Sequence, residues 1–298
     1  MVSDRADYRL IISNVDDLPV VVKERKDHGQ ILIDKLLELD GAFFVQLADL
    51  VRGTSTHEKP TLAPRPYQAE ALTSIVAGLN KFGRGQAILA CGAGKTLIGK
   101  WVCDSLECKT ALVMVPSLAL IRQTIGEWHH ANTKPFHYLC VCSDSTVDAP
   151  SDDSWVVNPS DLDCRVTTGS DDVVSFLRPD CSVMRVIFCT YQSGEVLVAA
   201  LKSEALSYFA FDFAICDEAH RLAGLSTKTF NHILSDDSIR ARRRLFMTAT
   251  PRILEPRLKR TADEDQAEIF SMDDESIFGA VLYRFGFQRA IQEKVICD

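Results

Sequence analysis

Two short stretches carry residue types that could do chemistry together. In ACGAGKTL, Ala90 to Leu97, glycines at 92 and 94 run into a lysine and a threonine. A glycine-rich turn that opens a helix aims backbone N–H groups at one locus, which suits a phosphate. Gly92, Ala93, Gly94 and Leu97 would form that cradle, Lys95 would place a point charge on the β and γ oxygens, and Thr96 would hold Mg²⁺ through its hydroxyl. Leu89 stands where a full phosphate-loop pattern has its first glycine. The second stretch is FAICDEAH, Phe213 to His220, an apolar run that ends in two adjacent carboxylates. Asp217 would enter the metal shell, and Glu218 would be left to orient and deprotonate an attacking water. The chemistry these residue types suit is phosphoryl transfer with Mg²⁺, in which Lys95, Asp217 and Glu218 would be the catalytic groups and Thr96 and Asp217 the metal ligands. It requires Lys95, Thr96, Asp217 and Glu218 to converge at the ends of neighbouring central strands.

The elements that must bring them together are readable from about residue 60 onward. Strand-like and helix-like segments alternate there, the signature of a parallel sheet with crossover helices. Pro66 can open a helix running to a stop at Gly83. QAILA reads as a buried strand before the glycine turn, and TLIGKWVCDSL as the helix after it. TALVMV is a second buried strand, and Ser117 caps the helix SLALIRQTIGEWHH. FHYLCVC, VMRVIFCT, FDFAIC and RRLFMTAT supply further strands, with a helix at SGEVLVAALKSEAL.

Composition excludes several classes. The 298 residues are 46% apolar, enough for one large α/β domain and something smaller. No apolar run approaches a bilayer-spanning length and MVSDRADYRL lacks the build of a secretory signal, so the expected location is cytoplasmic. Ten cysteines without a CxxC pair argue against a disulfide framework or a zinc knuckle and for buried reduced thiols. A net charge of −8 excludes a uniformly basic nucleic-acid coat. Charge is instead segregated: bases crowd Arg240 to Arg260, acids crowd Asp263 to Glu275, and the Ser/Asp/Pro-rich stretch Asp144 to Asp172 reads as a solvated insertion.

Residues 1–58 do not join the alternation and form a small N-terminal module of unknown role. DYRLIISN reads as a strand, and ILIDKLLELDGAFFVQLADLV has helical apolar spacing broken at Gly41. Glu24 and Lys26 have the ExK spacing of many metal-dependent nucleases, but the segment is too short for such a domain and the spacing is common by chance, so it reads as a solvated charged turn.

The ordered set PRPYQ, ACGAGKT, VPSLALIRQ, TYQS, DEAH and TATP resembles the motifs of the first RecA-like lobe of superfamily-two helicases, and is most similar to restriction-type motor subunits. The resemblance spans residues 59–298 and implies a RecA-like P-loop domain with a central, mainly parallel sheet flanked by helices. It implies that Gln68 reads the adenine edge beside the Tyr67 ring. Pro116, Ser117, Arg122 and Gln123, and separately Thr190 and Gln192, match segments that touch a nucleic-acid backbone. Thr248 and Thr250 match the segment that couples hydrolysis to movement, and His220 a link toward a second lobe. Members that lack the first glycine are common, so Leu89 is compatible with the family.

In such proteins arginines of a second RecA-like lobe complete the site. Too few residues follow Pro251 for a lobe, which needs on the order of 100. The tail from about 276 resembles the exit segment before that lobe. The expectation is an ATPase lobe of a nucleic-acid, most readily DNA, helicase or translocase of a restriction or phage-defence type, weakly active by itself. Two other readings stay open: a non-catalytic nucleic-acid docking module with a vestigial nucleotide site, and an unrelated P-loop enzyme such as a small-molecule kinase.

Overall fold

The structure is a computed structural model that describes residues 9–13, 28–33, 41, 44–45, 62–131, 134–142, 166–178, 183–225, 231–254 and 269–296. The chain divides into two compact units, Met1–Thr61 with Ser160–Arg165, and Leu62–Pro159 with Val166–Asp298. Glu24, Lys26, Arg257, Lys259, Arg260 and the acids from Asp144 to Asp163 lie outside the described residues.

In the first unit, β1 (Arg9–Ser13) pairs in parallel with β2 (His28–Leu32), with Arg9 opposite His28. The expected strand in DYRLIISN is present. Ile31 and Leu32, read from their spacing as the start of a helix, instead end a strand, because pairing in register with β1 overrides the local helical pattern. Ile33, Gly41, Phe44 and Val45 are helical, so Gly41 is itself in the helical conformation.

The second unit is built on an eight-stranded sheet. In chain order its elements are α1 (Pro66–Phe82), β3 (Arg84–Leu89), α2 (Lys95–Ser105), β4 (Thr110–Val115), α3 (Leu118–His130), β5 (Phe136–Val141), β6 (Val166–Thr167), α4 (Ser170–Leu177), β7 (Met184–Thr190), α5 (Gly194–Leu201), β8 (Phe213–Cys216), β9 (Gly224–Leu225), β10 (Arg244–Thr248), β11 (Ile269–Phe270), α6 (Glu275–Phe278), β12 (Val281–Phe285) and α7 (Phe287–Gln292). The large sheet runs β12-β3-β10-β8-β4-β7-β5-β6 with every neighbouring pair parallel, and β9 and β11 form a separate antiparallel pair. This is the RecA-like P-loop architecture, in which ligands sit outside the carboxyl ends of the strands.

Local chemistry explains why these segments fold as they do. Pro66 opens α1, Gln68 and Arg65 form a reciprocal cap, and Gly83 at φ 74° closes the helix. Its buried residues Tyr67, Ala71, Ile75 and Leu79 recur every four positions, so one stripe faces the sheet. The Ser117 hydroxyl accepts from the Leu120 N–H at 3.4 Å, and α3 buries Ile121, Thr124, Ile125 and Trp128. β3, β4 and β8 are buried almost throughout, as central parallel strands must be.

Two expectations change here. The acidic stretch is not loop to its end: Val166–Thr167 is an edge strand, and Asp171 and Asp172 sit in the first turn of α4. Acids there complement the helix dipole, and Val173 and Leu177 bury one face. The tail from 276, read as an exit segment, supplies β12, the strand that flanks β3 in parallel. Gln86 fixes the approach to it by donating to the carbonyls of Met272 and Gly279, both at 2.8 Å.

Candidate functional site

The phosphate-loop geometry follows from where glycine is needed. Leu89 ends β3, fully buried and paired with Phe285, so it belongs to the strand and not to the turn. The positive φ values fall on Gly92 and Gly94, both at 76°, and Gly94 is the cap from which α2 starts. The Ala93 N–H closes the turn onto the Ala90 carbonyl at 3.2 Å, and the Ala90 N–H is held by the Phe285 carbonyl at 2.9 Å. A helix N-terminus preceded by such a turn is an anion site.

The acidic strand end lies across one intervening strand. β10 sits between β3 and β8, so the motif strands are not immediate neighbours as expected; β10 instead brings Thr248 between them. The side groups still converge. Lys95 Nζ lies 3.7 Å from Glu218 Oε1, and Glu218 Oε2 lies 3.3 Å from His220 Nδ1. The same His220 nitrogen is 3.1 Å from Thr248 Oγ1, which in turn accepts from the Thr250 N–H at 3.2 Å. Thr96 and Asp217 line one small cavity with Gly99, Val113, Thr124, Trp128, Ile215 and Met247. Trp128 Nε1 donates to the Thr96 carbonyl at 3.1 Å, tying α3 to the first turn of α2.

Electrostatics marks the same spot. Asp217 is 8% exposed, and its carboxyl is pushed up to about 6, first by burial and then by Glu218, against the opposing pull of Lys95. A buried carboxylate with a like charge beside it is satisfied by further positive charge, so the donor set fits a magnesium ion. Glu218 occupies the left-handed region at φ 49°, ψ 44°, unusual for a residue with a Cβ. Its N–H donates back to Asp217 Oδ1 at 2.9 Å. His220 is held below the ordinary imidazole range, chiefly by burial, with Glu218 opposing.

Tyr67 and Gln68 meet the loop from the other side. Tyr67 Oη and Gln68 Nε2 both donate to the Ala93 carbonyl, at 3.2 and 3.1 Å, while Gln68 Oε1 accepts from the Arg65 N–H at 2.9 Å. The Tyr67 ring is stacked on Phe285 with centroids 4.3 Å apart, so one of its faces is already covered.

Against known protein families, residues 61–253 match the model described as "Type III restriction enzyme, res subunit". The chain belongs to this family. It is 28% identical over 282 residues to "Probable helicase A859L" of African swine fever virus isolate Pig/Kenya/KEN-50/1950, covering 94% of this chain and 28% of the viral protein. The counterpart in the Badajoz 1971 Vero-adapted strain is 29% identical over the same length. Among solved structures, the ATP-dependent Type ISP restriction-modification enzyme LlaBIII bound to DNA aligns at TM-score 0.73 and 26% identity, over 100% of this chain and 20% of that one. A nuclease-deletion mutant of the Type ISP enzyme LlaGI, in complex with a DNA substrate mimic, aligns at TM-score 0.60 and 29% identity over 78% of this chain and 21% of that one. The chain thus spans between a fifth and 28% of the length of these relatives. Fold and family together make it a first RecA-like lobe of the superfamily-two type.

The res-type motifs outside the phosphate centre separate into exposed and inward groups. Arg122 and Gln123 are exposed on α3, Gln123 bonding Glu127 at 2.7 Å, and Ser117 caps that helix. Pro116 is buried, and Thr190 is fully buried with its hydroxyl on Ser193 at 3.0 Å. Thr190 thus ends β7 with its hydroxyl bracing the turn that carries Tyr191 and Gln192. Gln192 is half-buried, its Oε1 without a protein partner. Sequence reasoning missed Tyr191, whose hydroxyl donates to the Asp217 carbonyl at 2.7 Å and so pins the acidic strand end. The signal was present: an aromatic with a polar tip in TYQS, directly after a buried strand. No disulfide joins the described cysteines, and no described cluster of His, Cys, Asp and Glu has a metal-binding arrangement of three. No described helix is long and apolar enough to cross a membrane.

Proposed function

We propose that this chain is the ATP-binding and hydrolysing lobe of a DNA helicase or translocase, cytoplasmic and of a restriction or phage-defence system. The observation that carries the reading is the joining of Lys95, Glu218, His220 and Thr248 in one chain of contacts beside a cavity shared by Thr96 and Asp217. The DNA-bound relatives and the viral "Probable helicase" support nucleic acid as the partner.

A bound magnesium triphosphate would supply the phosphoryl group and the metal charge. Gly92, Gly94 and Lys95 would offer backbone N–H groups, and Lys95, now facing Glu218, has its ammonium placed for phosphate oxygens. Thr96 and Asp217 would hold the metal. Glu218 accepts the proton of the attacking water, and its strained backbone keeps that carboxylate beside Lys95. His220, between Glu218 and Thr248, relays the state of the carboxylate to the Thr248–Thr250 turn. Arg122, Gln123, Ser117 and Gln192 serve the nucleic-acid side, and a second RecA-like lobe elsewhere in a longer protein would contribute arginines that speed turnover.

Nucleotide binding and single-turnover hydrolysis of the wild type, Lys95→Ala and Glu218→Gln test this. Lys95→Ala should lose Mg-ATP binding, and Glu218→Gln should bind but fall in turnover by about a hundredfold or more. Unaltered turnover in Glu218→Gln would refute the role of the carboxylate. Brisk DNA-stimulated turnover by the isolated chain would refute the need for a second lobe.

A further inference from the structure

A continuous stack links the far end of the second unit to the phosphate loop. Arg289 of α7 lies over the Phe285 ring at 5.3 Å, and Phe285 stacks on Tyr67 at 4.3 Å with planes 12° apart. Tyr67 then donates to the Ala93 carbonyl in the middle of the loop. Around this stack Tyr283 Oη donates to the Tyr67 carbonyl at 3.1 Å, and the Phe285 carbonyl holds the Ala90 N–H at 2.9 Å. Arg289 is itself steered from two sides, by Glu70 Oε2 of α1 at 2.7 Å and by Glu293 Oε1 at 2.7 Å. β12 and α7 therefore grip the loop and the start of α1 together.

The consequence falls on Gln68. Its Oε1 is fixed by the Arg65 N–H and its Nε2 by the Ala93 carbonyl, so the amide has one orientation and cannot flip while Ala93 stays in place. Each end keeps spare capacity: one N–H and one lone pair. A neighbouring donor and acceptor on one amide complement the N7 and N6 groups of adenine, and mismatch guanine, whose O6 and N7 are both acceptors.

We propose that β12 and α7 act as a positioning clamp for the nucleotide base, in which the Arg289–Phe285–Tyr67 stack fixes Ala93 and thereby the adenine-reading orientation of Gln68. Arg289 is a positioning residue: it touches no nucleotide and acts through the ring beneath it. The inference rests on the nucleotide reading of the site. It also gives the tail a role inside this unit.

The test is equilibrium binding of fluorescent ATP, fluorescent GTP and inorganic tripolyphosphate, each with Mg²⁺, to the whole chain. Arg289 is 40% exposed, so Arg289→Ala should fold as the wild type does, and Glu70→Gln serves as a second variant that leaves the stack's rings intact. Arg289→Ala should reduce the ATP-over-GTP preference by about three- to tenfold while tripolyphosphate affinity holds. Glu70→Gln should shift the preference the same way by less, and Arg289→Lys should recover part of it. An unchanged preference, or equal losses for ATP, GTP and tripolyphosphate, would overturn the clamp while leaving the nucleotide site standing. A wild type that binds none of the three, or binds them as well after Lys95→Ala, would overturn both.

Discussion

Asp217→Asn tests the electrostatic reading of the site without any ligand. The wild-type carboxyl titrates at about 6 instead of near 3.8. That difference of roughly 2 units corresponds to about 3 kcal/mol, little screened because the side chain is buried. Below pH 3.8 the acid is protonated in both folded and unfolded chains, and the raised value costs nothing. Between 3.8 and 6 the unfolded chain ionises while the folded one holds its proton, so this group's contribution to stability falls as pH rises; above 6 the loss is complete. Asparagine keeps an oxygen for the Glu218 N–H and does not titrate. The stability gap between variant and wild type should therefore widen in favour of the variant with rising pH, by about 3 kcal/mol in full and by roughly half of that between pH 5 and pH 8. Urea denaturation followed by circular dichroism at pH 5, 6.5 and 8 reads this directly. Magnesium nucleotide should then stabilise the wild type at pH 8 and leave the variant unmoved. A gap that stays level across the three pH values, or one that narrows toward pH 8, would refute the account of a carboxylate short of positive charge.

Backbone strain gives two further tests. Glu218→Asn places a residue that tolerates the left-handed region at φ 49° and should raise thermal stability by an amount equivalent to about 1 kcal/mol while abolishing hydrolysis; a lower melting temperature would count against the strain. Gly279 has φ 73°, and an added Cβ would lie 2.6 Å from the Arg84 carbonyl oxygen, so Gly279→Ala should cost about 1–3 kcal/mol and loosen β12. Gly126, in the middle of α3 with nothing near its missing Cβ, should show the reverse sign on mutation to alanine, by about 0.5–1 kcal/mol. Equal effects of the two alanines in a melting experiment would sink the distinction.

The features legible in the sequence were those written in neighbouring residues. The helix opened by Pro66 and stopped at Gly83, the Ser117 cap, the buried run TALVMV and the two glycines of the loop each depend on residues close in the chain, and each is where it was expected. What remained hidden depends on pairing between distant segments. Hydrophobic periodicity says that β3, β8 and β10 are buried strands, but it carries no information on which lies beside which. The interposed β10, which puts Thr248 within reach of His220, therefore had to come from the structure. The stack of Tyr67 on Phe285 is of the same kind: two aromatics far apart in sequence, one of them in a tail that read as leaving the unit. The acid-rich stretch misled for a different reason, since composition averages over Asp171 and Asp172 what their place in a helix's first turn makes favourable.

The strain at the acidic strand end has an explanation only if the site binds something. Of the three described non-glycine residues with positive φ, Glu107 follows α2 and Lys294 follows α7, both at chain turns where a helix stops. Glu218 is different: it follows a buried strand, touches Lys95 and His220, and sits next to a buried acid that resists ionisation. A helix stop could be made by many sequences with less strain, but an αL carboxylate held 3.7 Å from the loop lysine requires this backbone turn. Tyr191 and Trp128 brace that arrangement through the Asp217 and Thr96 carbonyls, on the two residues that would hold the metal. The arrangement is braced most where the local conformation is least favourable, and that supports the proposed charged-ligand site over the vestigial reading.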